Sequence, residues 1–190
     1  MPENRSVFLC ASGVIVASLA ALLLTPRCAS EHAPAHTSVA DPTWGTIDNL
    51  TIKSTKDGDL FEATTANDYH RIRRTARVTE PGRYRISIET QLDATRDLSI
   101  EIAEGADQPY ANVVANLRTG KIESIKGIGI DAGSEPLGPG RFRWWVDQDY
   151  KQGQVDYAFT NLSADDAATF PGQGECRMIL SNPGFRRVEQ

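Results

Sequence analysis

At 190 residues, with 40% hydrophobic and 24% charged side chains, the chain has the composition of a folded protein, with room for one domain once its N-terminal segment is set aside. The formal net charge is −5, and residues 1–30 contribute only Glu3, Arg5 and Arg27, so the remainder is a dispersed acidic surface that repels nucleic acid phosphates. That excludes nucleic acid as a partner, and the odd set Cys10, Cys28 and Cys176 excludes an internal disulfide framework.

Ser6 to Leu24 carries no charge, follows Arg5 and precedes the helix breaker Pro26. It reads as a single hydrophobic helix that exports the chain. Cys28-Ala29-Ser30 supplies the small residues of a signal-peptidase site, which favours a signal peptide over residues 1–30. The apolar run is nevertheless almost long enough to span a bilayer, so a retained membrane anchor is the rival reading. Either way the bulk of the chain is expected to be extracytoplasmic: periplasmic, secreted, or held at the membrane by this segment. Residues 31–43 are rich in Ala, Pro and His and lack apolar periodicity, and are read as a disordered linker in which His32 and His36 are solvated.

From Trp44 to residue 190, period-two alternation recurs between turn residues, the pattern of an all-β domain. Glu80-Pro81-Gly82 is a turn. After it, Tyr84, Ile86, Ile88 and Leu92 point one way, and Arg83, Arg85, Ser87, Glu89 and Gln91 the other. Glu89 on that wet face is expected to tolerate alanine at a cost below about 0.5 kcal/mol. Leu98, Ile100 and Ile102 repeat the alternation, as do Val113, Ala115 and Leu117. Thr119-Gly120 is a tight connection to the next strand, and Pro136 to Gly140 is a loop. Phe142, Trp144 and Val146, then Val155, Tyr157 and Phe159, form two further inward rows, and Ala164 to Thr169 reads as a loop. Near the end, Cys176 shares a strand face with Met178 and Leu180 and packs as a small apolar group. The count is nine or ten strands. Alternating rather than continuously apolar strands predict an antiparallel two-sheet β-sandwich with one shared core.

Three stretches resemble β-sandwich jelly rolls of the carbohydrate-binding-module type found in bacterial surface proteins and phage tail or fibre proteins. They are Tyr110 to Ile122 (YANVVANLRTGKI), Gly140 to Val146 (GRFRWWV) and Pro171 to Glu189 (PGQGECRMILSNPGFRRVE). The resemblance spans roughly residues 58 to 189 and implies a jelly-roll sandwich. It departs at Arg141, where an aromatic is usual, and at Trp145, where a small polar residue is usual.

Catalytic sets are poorly represented. His70 is the only histidine in the folded part, and no strand carries two carboxylates on one apolar-flanked face of the kind glycosidases need, Glu101 having only Ser99 and Ala103 beside it. No catalytic residue, metal site or cofactor is assigned. Asp57-Gly58-Asp59 and Asp165-Asp166 offer oxygens of the type a structural calcium uses, but calcium takes 6 to 8 of them, and solvated loops are the reading adopted. The sequons at Asn49 and Asn161 are read as chance.

The feature that points to a ligand is Trp145. With Phe142 and Trp144 on the core phase, Trp145 falls on the opposite face with Arg141, Arg143 and Asp147, close in sequence to Tyr150. An aromatic ring among guanidinium and carboxylate groups is a composition that stacks a sugar ring and bonds its hydroxyls. The competing expectation is that Tyr150, a loop or a stacked arginine covers the indole. Two functions follow: a non-catalytic module that binds glycan or cell-envelope polysaccharide, or a structural or protein-interaction sandwich of an envelope or phage-like assembly.

Overall fold

The computed structural model describes residues 38–93, 95, 97–103, 110–162, 169–171 and 176–189, the last of these groups and the first forming part of one compact unit. The leader, His32, His36 and Asp165-Asp166 lie outside the described residues, as does the loop reading for 164–168. Among the described residues there is no helix long and apolar enough to cross a membrane.

The described residues form fifteen strands, more than the alternation alone predicts because several are short. A seven-stranded antiparallel sheet runs β1 (Ser38–Asp41), β2 (Gly45–Asp48), β6 (Arg71–Val78), β13 (Gly153–Asn161), β8 (Asp97–Ile102), β9 (Ala111–Asn116) and β10 (Lys121–Lys126). A six-stranded one runs β11 (Asp131–Gly138), β12 (Arg141–Tyr150), β7 (Gly82–Gln91), β15 (Arg177–Arg187), β4 (Gly58–Ala63) and β3 (Leu50–Thr55). β5 (Asn67–Tyr69) and β14 (Thr169–Pro171) make a two-stranded ribbon. The all-β, two-sheet expectation is met.

β1 falls inside the segment read as linker. It pairs with β2 from Ser38 opposite Asp48 to Asp41 opposite Gly45, and Asp41 Oδ1 accepts the backbone N–H groups of Thr43 and Trp44, each at 2.8 Å, to fix the turn. Pro136 to Gly138, read as loop, extends β11, whose pairing with β12 shifts register between Pro136 and Gly138. The Thr119-Gly120 connection is as expected: Gly120 sits at φ 72, and its N–H donates to the Asn116 carbonyl at 2.9 Å.

The predicted inward rows are buried. Ile86, Ile88, Leu98, Ile100, Ile102, Trp144, Val146 and Phe159 are fully enclosed and join one core with Trp44, Phe61, Met178 and Leu180, so both sheets bury their apolar phase against each other. Cys176 packs against this core, as its phase requires. Leu92 does not: it lies beyond the end of β7 and is exposed. At the corner where β2 passes to β3, Asn49 takes φ 53 and its carbonyl accepts from His70 Nδ1 at 2.8 Å and the Thr64 N–H at 2.9 Å. Asn49 and Asn161 are both fully buried, which removes either sequon as a glycan acceptor in the folded state.

β15 carries the most consequential irregularity. Ser181 pairs with Glu89 but Gly184 pairs with Ser87, so one extra residue is inserted around Asn182, which has φ 50. A one-residue bulge reverses the phase. Met178 and Leu180 are inward before it, and Phe185 is inward after it, stacked 5.1 Å from Tyr84, while Arg186 moves to the outer face. The bulge is testable by urea unfolding. Phe185→Ala should cost about 2 to 4 kcal/mol, whereas Arg186→Ala should cost less than about 0.5. An uninterrupted strand would give the reverse order.

Candidate functional site

The outer face of the six-stranded sheet is built in rows across β11, β12, β7 and β15. Asp131, Asp147, Arg85 and Arg186 form one row; Gly133, Trp145, Ser87 and Gly184 the next; Glu135, Arg143, Glu89 and Ser181 the third. The middle row is one large aromatic among three small residues, so the charged rows on either side become walls. The result is a cleft of about 430 Å³ lined by Arg85, Ser87, Glu89, Glu135, Arg143, Trp145, Asn182 and Arg186.

Trp145 is half-buried. A Cβ at Gly133 would come within 2.5 Å of its Cζ2, so the indole lies over a position that only glycine leaves open. Arg85 stacks its guanidinium 4.4 Å from the ring centroid and is itself fixed by Asp147, donating from Nε and Nη2 to the two carboxylate oxygens at 2.7 Å each. Of the two expectations for this ring, the stacked arginine is the arrangement found. Gly184 plays a matching part in the floor, since a Cβ there would reach within 2.6 Å of Ser87 Oγ.

On the third row, Arg143 donates to Glu89 Oε1 at 3.1 Å from Nε and 2.7 Å from Nη2, and to Glu135 Oε2 at 2.9 Å. Asn182 Nδ2, set on the outer face by the bulge, donates to Glu89 Oε2 at 3.0 Å. Glu89 is thus only 8% exposed, and its reading as an indifferent wet-face residue is corrected: the face is outward, but neighbouring side chains cover it. Burial opposes its ionisation, yet the bonds from Arg143 and Asn182 outweigh that and hold its pKa below the ordinary carboxylate value. It stays an anion at neutral pH and has no proton to give as a general acid.

The sequence-predicted set is therefore only partly assembled. Trp145, Arg143 and Asp147 meet on this face, and Arg141 lies two residues further along the same strand face, outside the cleft lining. Tyr150 is on the opposite phase, buried in an aromatic cluster with Tyr84 at 6.2 Å and Phe185 at 6.0 Å, and burial raises its phenol pKa. It cannot reach a ligand beside Trp145. Arg85, Glu89, Asn182 and Arg186 come from two other strands. For β7 the signal was the outward phase of Arg85 and Glu89. For β15 it was the impossibility of burying Arg186 while exposing Phe185.

A second cleft, of about 560 Å³, lies on the outer face of the seven-stranded sheet, with Arg73 on β6 and Glu101 on β8 either side of the small Ala158 on β13. Pairing sets Glu101 and Asp156 diagonally on adjacent strands, a juxtaposition invisible along any single strand. Asp156 is already engaged, accepting from Thr75 Oγ1 at 2.6 Å and Gln154 Nε2 at 3.0 Å. Of Asp57-Gly58-Asp59, Asp57 lies in the β3–β4 turn while Gly58 and Asp59 open β4, where Asp59 accepts the Trp44 indole N–H at 2.7 Å. No group of three or more potential metal ligands occurs among the described residues.

No protein-family model matches the chain, and no curated protein matches it at a significant level. The functional reading therefore rests on the geometry of the Trp145 cleft.

Glu89 and the fully buried Asp48, which accepts from Arg73 and Arg71, make stability depend on pH. For Asp48 too, burial is outweighed by the arginine bonds, and its pKa is lowered. Both groups bind protons more tightly when unfolded, so their contribution is present above the ordinary carboxylate range and is lost as pH falls through it. The urea midpoint should hold from pH 7 to 5 and fall steeply below about pH 4. Glu89→Gln should flatten part of that fall, and Glu89→Ala should cost about 1 to 3 kcal/mol at pH 7.

Proposed function

We propose that the chain is an exported, non-catalytic binding module of the jelly-roll type, which takes up a glycan or cell-envelope polysaccharide in the Trp145 cleft. The observation that carries this reading is a half-buried tryptophan, positioned over Gly133 and under a stacked arginine, at the wall of a polar cleft on a rigid sheet face. One face of the ring is taken by Arg85, so a sugar meets the remaining edge of the indole. Its hydroxyls meet the Ser87 hydroxyl, the Asn182 amide and the outer edge of the Arg143 guanidinium. The two carboxylates in the cleft are both spent on Arg143, which leaves no acid and base pair for glycoside hydrolysis there. The repeated passage of the chain between the sheets supports the jelly-roll assignment.

The protein-interaction reading has its own observation. Ile128 is 84% exposed in the β10–β11 connection, Ile125 on β10 and Tyr110 just before β9 are also exposed, and exposed apolar side chains of this kind suit an envelope protein partner. It does not involve the Trp145 face.

Binding of the full 190-residue chain to a glycan panel decides between them. We expect binding that Trp145→Ala abolishes without loss of folding, and that Gly133→Ala weakens by displacing the indole, an effect visible in tryptophan fluorescence. Binding to no polysaccharide, together with a stoichiometric protein partner lost on Ile128→Ser, would establish the second reading instead. Turnover of any glycan in the panel would overturn the non-catalytic assignment.

A further inference from the structure

Within that glycan reading, the charge balance of the cleft points further. Arg85 is neutralised by Asp147, and Arg143 is shared by Glu89 and Glu135. Arg186 is different. It lines the cleft, is exposed, and has no carboxylate within ion-pair distance among the described residues. Its register partner on β7 is Arg85, whose guanidinium is drawn toward β12 by Asp147 and Trp145, so Arg186 is the cleft's one cation without an ion pair among the described residues. A cation without a carboxylate partner at the edge of a polar cleft favours an anion placed between it and the cleft floor. The floor there is Ser87, whose hydroxyl lies open because residue 184 is glycine.

We infer that the ligand is an acidic saccharide, its carboxylate received by Arg186 and a neighbouring sugar hydroxyl by Ser87. A guanidinium fork matches a planar carboxylate with two parallel hydrogen bonds, the geometry a uronic acid presents. The protein as a whole carries −5, so a polyanion is not drawn by bulk charge and is held only by such a local site.

The test is calorimetric titration of the full chain with polygalacturonate, alginate and hyaluronate, each compared with its methyl ester, which keeps the sugar and removes the charge. The free acids should bind at least about tenfold more tightly than their esters, since a charge-assisted hydrogen bond is lost. Arg186→Gln should erase that preference, leaving acid and ester alike. Lys53→Gln removes the same charge from the exposed end of β3 and should leave the preference intact. Equal binding of acid and ester by the unaltered chain, or a preference that survives Arg186→Gln, overturns the assignment of Arg186. If neutral glycans still bind through Trp145, only that assignment falls. If no saccharide of either kind binds, the glycan reading falls with it.

Discussion

The side-chain period of two in β15 is broken once, at Asn182, and the composition of both faces of the six-stranded sheet depends on that break. Without it, Phe185 would face water and Arg186 would enter an apolar core, where an unpaired guanidinium is far more costly than a bulge. With it, Phe185 joins Tyr84, Tyr150 and Tyr157 in one aromatic cluster, and Gly184 and Arg186 join the outer rows. The same residue closes the arrangement: Asn182 donates to Glu89, which aligns Arg143, which holds Glu135. The site on the outside and the packing on the inside are therefore two results of a single inserted residue.

A related economy holds at the corner between the sheets. The β2–β3 passage requires a left-handed residue, and Asn49 supplies it more readily than most non-glycine residues. Its carbonyl then serves His70 and Thr64, its amide bonds the Tyr69 carbonyl, and the His70 carbonyl in turn accepts the Asn161 N–H. Buried polar groups of this kind are stabilising only when their partners are in place, and here the partners come from segments far apart in the chain. The lone histidine of the folded body is thereby given a structural part, and the asparagine of the first sequon is explained by the left-handed turn it occupies.

The inward phase was legible in the sequence because uninterrupted alternation leaves one solution: Tyr84 to Ile88, Leu98 to Ile102, Trp144 to Val146 and Val155 to Phe159 all bury as their spacing predicts. Three things were not. Short edge strands such as β1 lack enough residues to show a period, and were absorbed into linker. Bulges are phase errors in an otherwise regular signal, and the one at Asn182 hid Arg186. Cross-strand neighbours depend on register, which no single strand encodes, so Arg85 over Trp145 and Asn182 beside Glu89 could not be anticipated from their own segments. Tyr150 is close to Trp145 in sequence but not in space, because five residues along a strand set it on the opposite face.

The same alternation of faces makes the outer face fit to be a site. A strand residue cannot hide by changing rotamer alone, so an outward Trp145 must be covered by whatever its lateral neighbours provide. On one side the neighbour is Gly133, which gives the ring a seat. On the other it is Ser87, too small to cover anything, and the cover comes diagonally from Arg85. Arg85 can hold that position because Asp147, two residues along from Trp145 on the same strand face, fixes both its nitrogens. The smallness of Ser87 and Gly184 is what the structural role leaves unused: covering the indole from the diagonal does not fill the space over those residues. The open floor beside an unpaired arginine is the part of this surface that packing does not account for.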